Sequence, residues 1–533
     1  MSRKDFLSIP EIAGWLLSAV LACPILAAPP PGAGYGVIGS SHGNHQQAFV
    51  KHPEVRFVGR ITFSWKTIEP EEGRYDWSGI DRLLEIYKKE GKKAGIQINT
   101  PVPDWVFLHV ACVGTSRGGR APQYWDPEYF RLYDRLIKAF ADHYGKSSFR
   151  DTILCVRLQF NALNTEITSF DSQHLQGEVS RDRSKWTLPA NGHAYGPDLT
   201  PRIEEDYVVR VSEAYLRHFF AHGIPVTLRM DADNSPRMTG LYDRWTDDPL
   251  AWIVTTHYGI RKIADYEVGA FRRRCRERGT PGYGEQYTPF KENGPWSDGQ
   301  SVMRDIRIPG DGGTLKTHRL TAEQAYYWTM LMLLDWGFSH IAVFEQDHRW
   351  AHEHPSLVRV MELVNRYAGW SREPAKSPGA WIALGQFHGF GPRARKENNW
   401  GYFIEQEDLE KTSSPVYLAG EEASIHGAWA RRLTGPMRLA LNPKFATSVK
   451  QACSVSLTWL NEPETAWRAT AGTRNLPPVQ SDGSGRWREI RLEIPSGTLA
   501  QDAVLRIEPL KGQPALHLVE IRRATPQLPT GPP

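Results

Sequence analysis

Hydrophobic and polar positions follow two different rhythms along this chain, and the change between them falls near Ser377-Pro378-Gly379. Before that point, strand-like runs alternate with helical periodicity. Residues 57–65 read as a strand. Ser78 stands where an N-cap would, Ile80, Leu83, Leu84 and Tyr87 fall on one helical face, and Gly91 ends the helix. A strand over 94–98 leads into Thr100-Pro-Val-Pro-Asp-Trp105, and Asp126-Pro127 opens a helix whose Phe130, Tyr133, Ile137 and Tyr144 share a face. Residues 153–160 form the next strand, a Gly-, Pro- and charge-rich loop fills 171–203, and a helix covers 204–222. Strands follow at 224–230, at 252–257 (a piece whose pattern fits a helix equally) and around Glu285. After a loop to 320, Thr321-Ala-Glu-Gln324 has capping-box spacing and opens a helix closed by Gly337, and 340–344 is the last strand of the series.

Strands alternating with helices imply a parallel sheet with helical cover. At this length the (β/α)8 barrel is favoured over a doubly wound sheet, and no G-x-G-x-x-G follows a first strand. Beyond Ser377 the stretches 455–460, 487–494, 503–507 and 516–521 alternate with period two, as half-buried antiparallel strands of a β-sandwich do. The expected division is a leader over 1–28, a barrel over 35–375, a β-sandwich over 380–524 that braces the barrel or binds glycan, and a disordered Pro-rich tail over 525–533.

Composition adds a modest tilt. Aromatics make up 11% of the 533 residues, with 19 Trp, and the C–H faces of sugar rings stack on such side chains. The net charge of +4 comes from interspersed acids and bases, so no nucleic-acid partner is expected, and the basic run 271–278 reads as a solvated helix face. Arg3 and Lys4 precede an apolar run over 15–28 and then Pro29-Pro-Pro-Gly32, the pattern of a secretory signal. The run is too short to span a bilayer. A secreted or periplasmic protein is expected, with a lipid anchor on Cys23 as the variant that Val20-Leu-Ala-Cys23 allows. Cys112, Cys155, Cys275 and Cys453 show no C-x-x-C spacing, and Cys155 reads as core. His352-Glu-His354 lacks a third ligand at useful spacing, so neither metal nor cofactor is expected.

In a parallel barrel the carboxyl ends of the strands form the site. Glu285 lies between Gly284 and Gln286, flanked by Tyr283 and Tyr287, and residues 157–166 repeat that shape, an apolar strand running into polar residues and Glu166. Glycosidic hydrolysis takes one carboxylic acid to protonate the leaving oxygen and one carboxylate to act as nucleophile or to activate water. Burial and a neighbouring negative charge can keep the acid protonated. We assign Glu166 as acid/base and Glu285 as nucleophile, against the plainer reading of each as a structural ion-pair member.

The run Arg60-Ile-Thr-Phe-Ser-Trp-Lys-Thr-Ile-Glu-Pro-Glu-Glu-Gly-Arg-Tyr-Asp-Trp77 resembles the early barrel segment of clan A retaining glycoside hydrolases, β-galactosidase-type members above all. Pro103-Asp-Trp105 is similar to a later stretch of theirs. The resemblance extends over 35–370 and is specific at 60–77. It implies an acid/base glutamate at the end of the fourth strand and a nucleophile at the end of the seventh, which map onto Glu166 and Glu285. That clan sets Asn directly before the acid/base Glu. Here the order is Asn164-Thr165-Glu166, so Asn164 or Asn161 is the amide expected at the sugar 2-hydroxyl.

Other residues expected at the mouth are Arg60, to keep the nucleophile ionised, and Trp105, Tyr287 and Trp296 as stacking platforms. His257 and Tyr258 would hydrogen-bond the nucleophile or a hydroxyl. Glu345 is the rival nucleophile, and Asp347 and His348 would contact substrate. The expected protein is an exported glycoside hydrolase cleaving β-linked sugars of an oligo- or polysaccharide with retention. A non-catalytic carbohydrate-binding surface protein with a degenerate barrel is the alternative, and an inverting or lyase-type enzyme a second.

Overall fold

A computed structural model describes residues 31–38, 48–115, 120–161, 200–229, 250–255, 282–286, 322–335, 337–388, 396–418 and 424–524, with short pieces between them. Eight strands close a barrel: β1 Gly34–Ile38, β2 Phe57–Ser64, β3 Lys93–Asn99, β4 Ile153–Arg157, β5 Val226–Arg229, β6 Ala251–Thr255, β7 Gly282–Gln286 and β8 His340–Phe344. Every neighbouring pair is parallel, including β8 with β1, so no edge remains. This is the (β/α)8 barrel that the sequence predicts. β1 was not among the expected strands. Its five residues, Gly-Tyr-Gly-Val-Ile, are all buried, so no alternation marks them. Gly36 is required there, because a Cβ would come within 2.4 Å of the Phe57 ring.

The outward positions Val37, Val58, Ile61, Ile96, Ile98 and Val156 join the core shared with the helices. The helices are α1 Ser78–Lys89, α2 Pro127–Gly145, α3 Thr200–Phe220, α4 Ala322–Asp335, α5 Glu345–His352 and α6 Pro355–Tyr367. α2 buries Leu132, Leu136, Ile137 and Phe140, each contributing about 1.5–3 kcal/mol on leaving water. Asp126 caps it, accepting from the Glu128 N–H. Ser78, expected as the N-cap of α1, lies inside that helix. Trp77 is the cap residue, and the Asp76 carboxylate accepts the Ser78 N–H at 3.0 Å. Gly91, at φ 64°, ends the helix as expected. The expected loop 171–203 contains the opening of α3 and three two-residue strands, one pairing with 112–115 and the other two, 186–187 and 194–195, with each other.

From Gly379 two antiparallel sheets, of seven and six strands, face each other across a core of Ile382, Leu439, Leu457, Trp467, Leu505 and Val519. This is the expected β-sandwich. It packs on α4 and α6. Tyr327 bonds His517 at 2.7 Å, the Trp328 indole donates to the Gly427 carbonyl, and Glu520 accepts from Tyr367, Arg366 and Arg522. Burial pushes the Glu520 carboxyl up, and those donors together hold it below its ordinary range. The segment expected to be a leader and the Pro-rich tail lie outside the described residues. Among the described residues no helix is long and apolar enough to cross a membrane.

Candidate functional site

Inside the barrel, side-chain character changes along the strands. Ile38, Phe57, Leu154, Cys155 and Ala342 form an apolar cluster, which bears out Cys155 as core. Further along β2 and β4, just past the end of β4, and on the inner faces of β3 and β5, stand Arg60, Arg157, Gln159, Gln97 and Thr227, all buried. The period of a strand forces this: Ile96 and Ile98 face the helices, so Gln97 and Asn99 face inward. Arg157 Nη1 donates to Gln97 Oε1 at 2.5 Å, and Gln159 Nε2 to Asn99 Oδ1 at 2.7 Å. Gln97 Nε2, Thr227 Oγ1 and Asn161 Oδ1 have no hydrogen-bond partner among the described residues. Each such group costs about 1–3 kcal/mol when buried unmet, a cost expected where a ligand or water completes the set. Except for Arg60 and Asn161, these residues escaped sequence reasoning, although the polar breaks between Ile96, Ile98 and Val156 carry their signal.

The chain leaving β4 is held from behind. Tyr133 donates to the Gln159 carbonyl (2.7 Å), Tyr207 to that of Phe160 (2.6 Å) and Tyr129 to that of Asn161 (2.8 Å). Burial pushes all three phenols upward, so they stay protonated donors. Asn161 itself is fully buried at φ 51°, its Nδ2 donating to Tyr133 Oη. These contacts fix the backbone direction five residues before Glu166. Glu166 and Asn164 lie outside the described residues, as do His257, Tyr258, Tyr287 and Trp296. Glu285 is the fourth of the five β7 residues, and its backbone pairs with Ala342, a member of the interior cluster.

The motif at 60–77 is a clamp. Glu69 is fully buried, and its carboxylate accepts from the Trp65 indole, the Gly73 N–H and the Arg135 guanidinium, each at 2.8 Å. Gly73 meets the carboxylate from φ 77°, a conformation that suits glycine. Trp105, expected as an open stacking platform, belongs to this clamp. Its indole donates to the Glu69 carbonyl at 3.0 Å, it packs edge-on against Trp65, and the Arg135 guanidinium lies 5.3 Å over its ring.

After β8, Glu345 opens α5, is 5% exposed and accepts from Arg349 at 3.0 Å. His348 is 1% exposed, and both its ring nitrogens are engaged, Nδ1 with Tyr35 Oη at 3.1 Å and Nε2 with His52 Nδ1 at 2.9 Å. It therefore stands in a protein-internal cluster in place of the expected substrate contact. Burial, then the neighbouring His52 and His352, pull its pKa down to about 3. The expectation that His352 has no metal-binding company also changes, because His52 and Glu54 reach it from the far end of the barrel sequence.

Residues 42–147 match the model of the glycoside hydrolase family 42 β-galactosidases. The match covers β2, α1, β3 and α2 of the barrel. The matched stretch contains both partners of the Glu69–Arg135 clamp. Among solved structures, a cold-adapted β-galactosidase from Rahnella sp. R3 is 14% identical, with a TM-score of 0.40, over 64% of this chain and 57% of that one. The catalytic domain of a β-amylase from Paenibacillus polymyxa is 12% identical (TM-score 0.35), over 59% of this chain and 93% of that one. A GH30 endoxylanase from Clostridium papyrosolvens C71 is 7% identical (TM-score 0.35), over 93% and 97%. The chain thus spans little more than half of the β-galactosidase. No curated protein matches.

Proposed function

We propose that this protein is an exported glycoside hydrolase that cleaves β-linked sugars with retention, Glu166 serving as acid/base and Glu285 as nucleophile. The observation that carries the reading is the strand count: β4 and β7 are the fourth and seventh strands of a closed parallel barrel. The relation of residues 42–147 to β-galactosidases supports the same substrate class. In this scheme Glu285 attacks the anomeric carbon while Glu166 protonates the leaving oxygen. Glu166 then deprotonates the water that releases the sugar, a double displacement that requires the two carboxyls to be about 5–5.5 Å apart. Arg60 and Arg157, already buried in the barrel, would hold the nucleophile ionised, and Gln97 and Thr227 would meet water or a hydroxyl. Export rests on the sequence of residues 1–32 alone.

The test is to assay wild type on nitrophenyl β-glycosides and on algal, plant and bacterial polysaccharides, and to follow the first-formed anomer by NMR. The β-anomer should appear first, and Glu166→Gln and Glu285→Gln should each lower turnover of unactivated substrates by at least roughly 10²-fold. An α-anomer formed first, or turnover undiminished in either variant, would refute the assignment.

A further inference from the structure

Outside the barrel wall, where its first and last β/α units meet, four potential ligands converge from distant parts of the chain. His52 and Glu54 sit two residues apart just before β2, and His348 and His352 are one turn apart on α5. One ligand atom from each lies within 4.8 Å of all the others. The measured separations are 2.9 Å for His52 Nδ1 to His348 Nε2, 2.5 Å for His352 Nδ1 to Glu54 Oε1 and 3.8 Å for His52 Nδ1 to Glu54 Oε1. The His52 and His352 rings are stacked with centroids 3.9 Å apart.

We propose that His52, Glu54, His348 and His352 bind one divalent transition-metal ion of the zinc type, in a closed four-ligand site that pins the β1–β2 connection to α5. Three imidazoles and a carboxylate are a donor set such ions take, and tetrahedral bonds of about 2.0–2.1 Å put the ligand atoms about 3.4 Å apart. The measured separations bracket that figure, so small side-chain rotations suffice. The charge balance points the same way. The Glu54 side chain is 4% exposed, and its close partners are imidazoles rather than permanent cations. Lys92, nearby, donates its ammonium hydrogens to the His52 and Val55 carbonyls. A buried carboxylate calls for compensating charge, and a divalent ion supplies it.

The surroundings are those of a prepared site. Tyr35 Oη engages His348 Nδ1, which turns Nε2 toward the centre, the arrangement that fixes metal-binding imidazoles elsewhere. Asn365 holds the supporting backbone, donating to the Glu54 carbonyl at 2.7 Å and accepting the Tyr35 N–H at 2.8 Å. His352 keeps 38% of its side chain exposed, which leaves an ion a way in. With all four positions filled by protein, the ion is structural: it staples the seam at which the barrel closes. The inference is independent of the glycosidase reading.

The test uses the full chain without a polyhistidine tag, stripped with a chelator and titrated with zinc(II), followed by metal analysis and thermal melting. One equivalent per chain should bind, and the melting temperature should rise with zinc and fall with chelator. His352→Gln, at the most exposed ligand, should keep the far-ultraviolet spectrum and lose affinity beyond the ~10–100-fold typical of an outer partner. Tyr35→Phe, which removes no ligand, should weaken binding by ~10–100-fold, and it decides the matter should the ligand variant fail to fold. Wild type that takes up no zinc, or both variants binding as wild type does, would overturn the proposal.

Discussion

Early in β2 and β4 the barrel encloses Phe57, Leu154 and Cys155, whereas later in those strands, and on β3 and β5, the inward positions hold Arg60, Arg157, Gln97 and Thr227. Both sets are out of water, but only the apolar set has its contacts complete. Among the described residues Gln97 Nε2 and Thr227 Oγ1 go without partners, while the Phe57 ring fills the space over Gly36. Packing and chemistry are thus divided between stretches of the same strands. The apolar stretch should govern stability, and the polar one should govern turnover.

Substitutions at each set sharpen or break that division. The largest effect expected is on turnover: Glu166→Gln should lower kcat by roughly 10²–10⁴-fold, with an unchanged melting temperature, as steady-state kinetics and a melt on the same sample will show. In the apolar set, Phe57→Ala should cost about 3–5 kcal/mol in denaturant unfolding, while kcat per folded molecule holds. His340, packed edge-on against Phe57, gives a pH test. Burial pulls its pKa down to about 4 from 6.5. The unfolded chain therefore takes a proton below pH 6.5 that the folded one refuses until about pH 4. Stability should fall by roughly 3 kcal/mol across that window. The buried His426 and His517 act in the same direction, so the slope that disappears in His340→Gln isolates this residue.

Glu69→Gln removes the charge from the clamp and should cost about 1–3 kcal/mol, with a fall in Tm and little change in kcat once folded. Smallest is Thr227→Val. Removing an unmet hydroxyl should leave stability within about 1 kcal/mol of wild type yet reduce turnover. A large stability loss there, with activity intact, would erase the contrast between the two sets.

The sequence made the barrel legible wherever a strand or helix carried its own period. It hid β1, whose two glycines and uniform burial leave no alternation to read. The Glu69 motif was visible as a string, but its meaning depends on Arg135, one element later, and on a glycine turn that only the fold brings to the carboxylate. Trp105 looked like a sugar platform because an indole near a strand end has that use; the cation over its ring is set by packing. The histidine cluster was least legible. A local window around His352 reaches His348, one turn earlier on α5, but neither Glu54 nor His52, which lies 296 residues from the His348 it touches. Closure of the barrel, β8 against β1, brings them together.

The central claim is that Glu285, at the end of β7, carries the sugar. It is tested most directly by incubating the enzyme with a 2-deoxy-2-fluoro β-glycoside, which slows release of the covalent intermediate, and sequencing the labelled peptide by mass spectrometry. The account predicts a single sugar ester on Glu285. A label on Glu345, or none on an enzyme that turns over the parent glycoside, would contradict it.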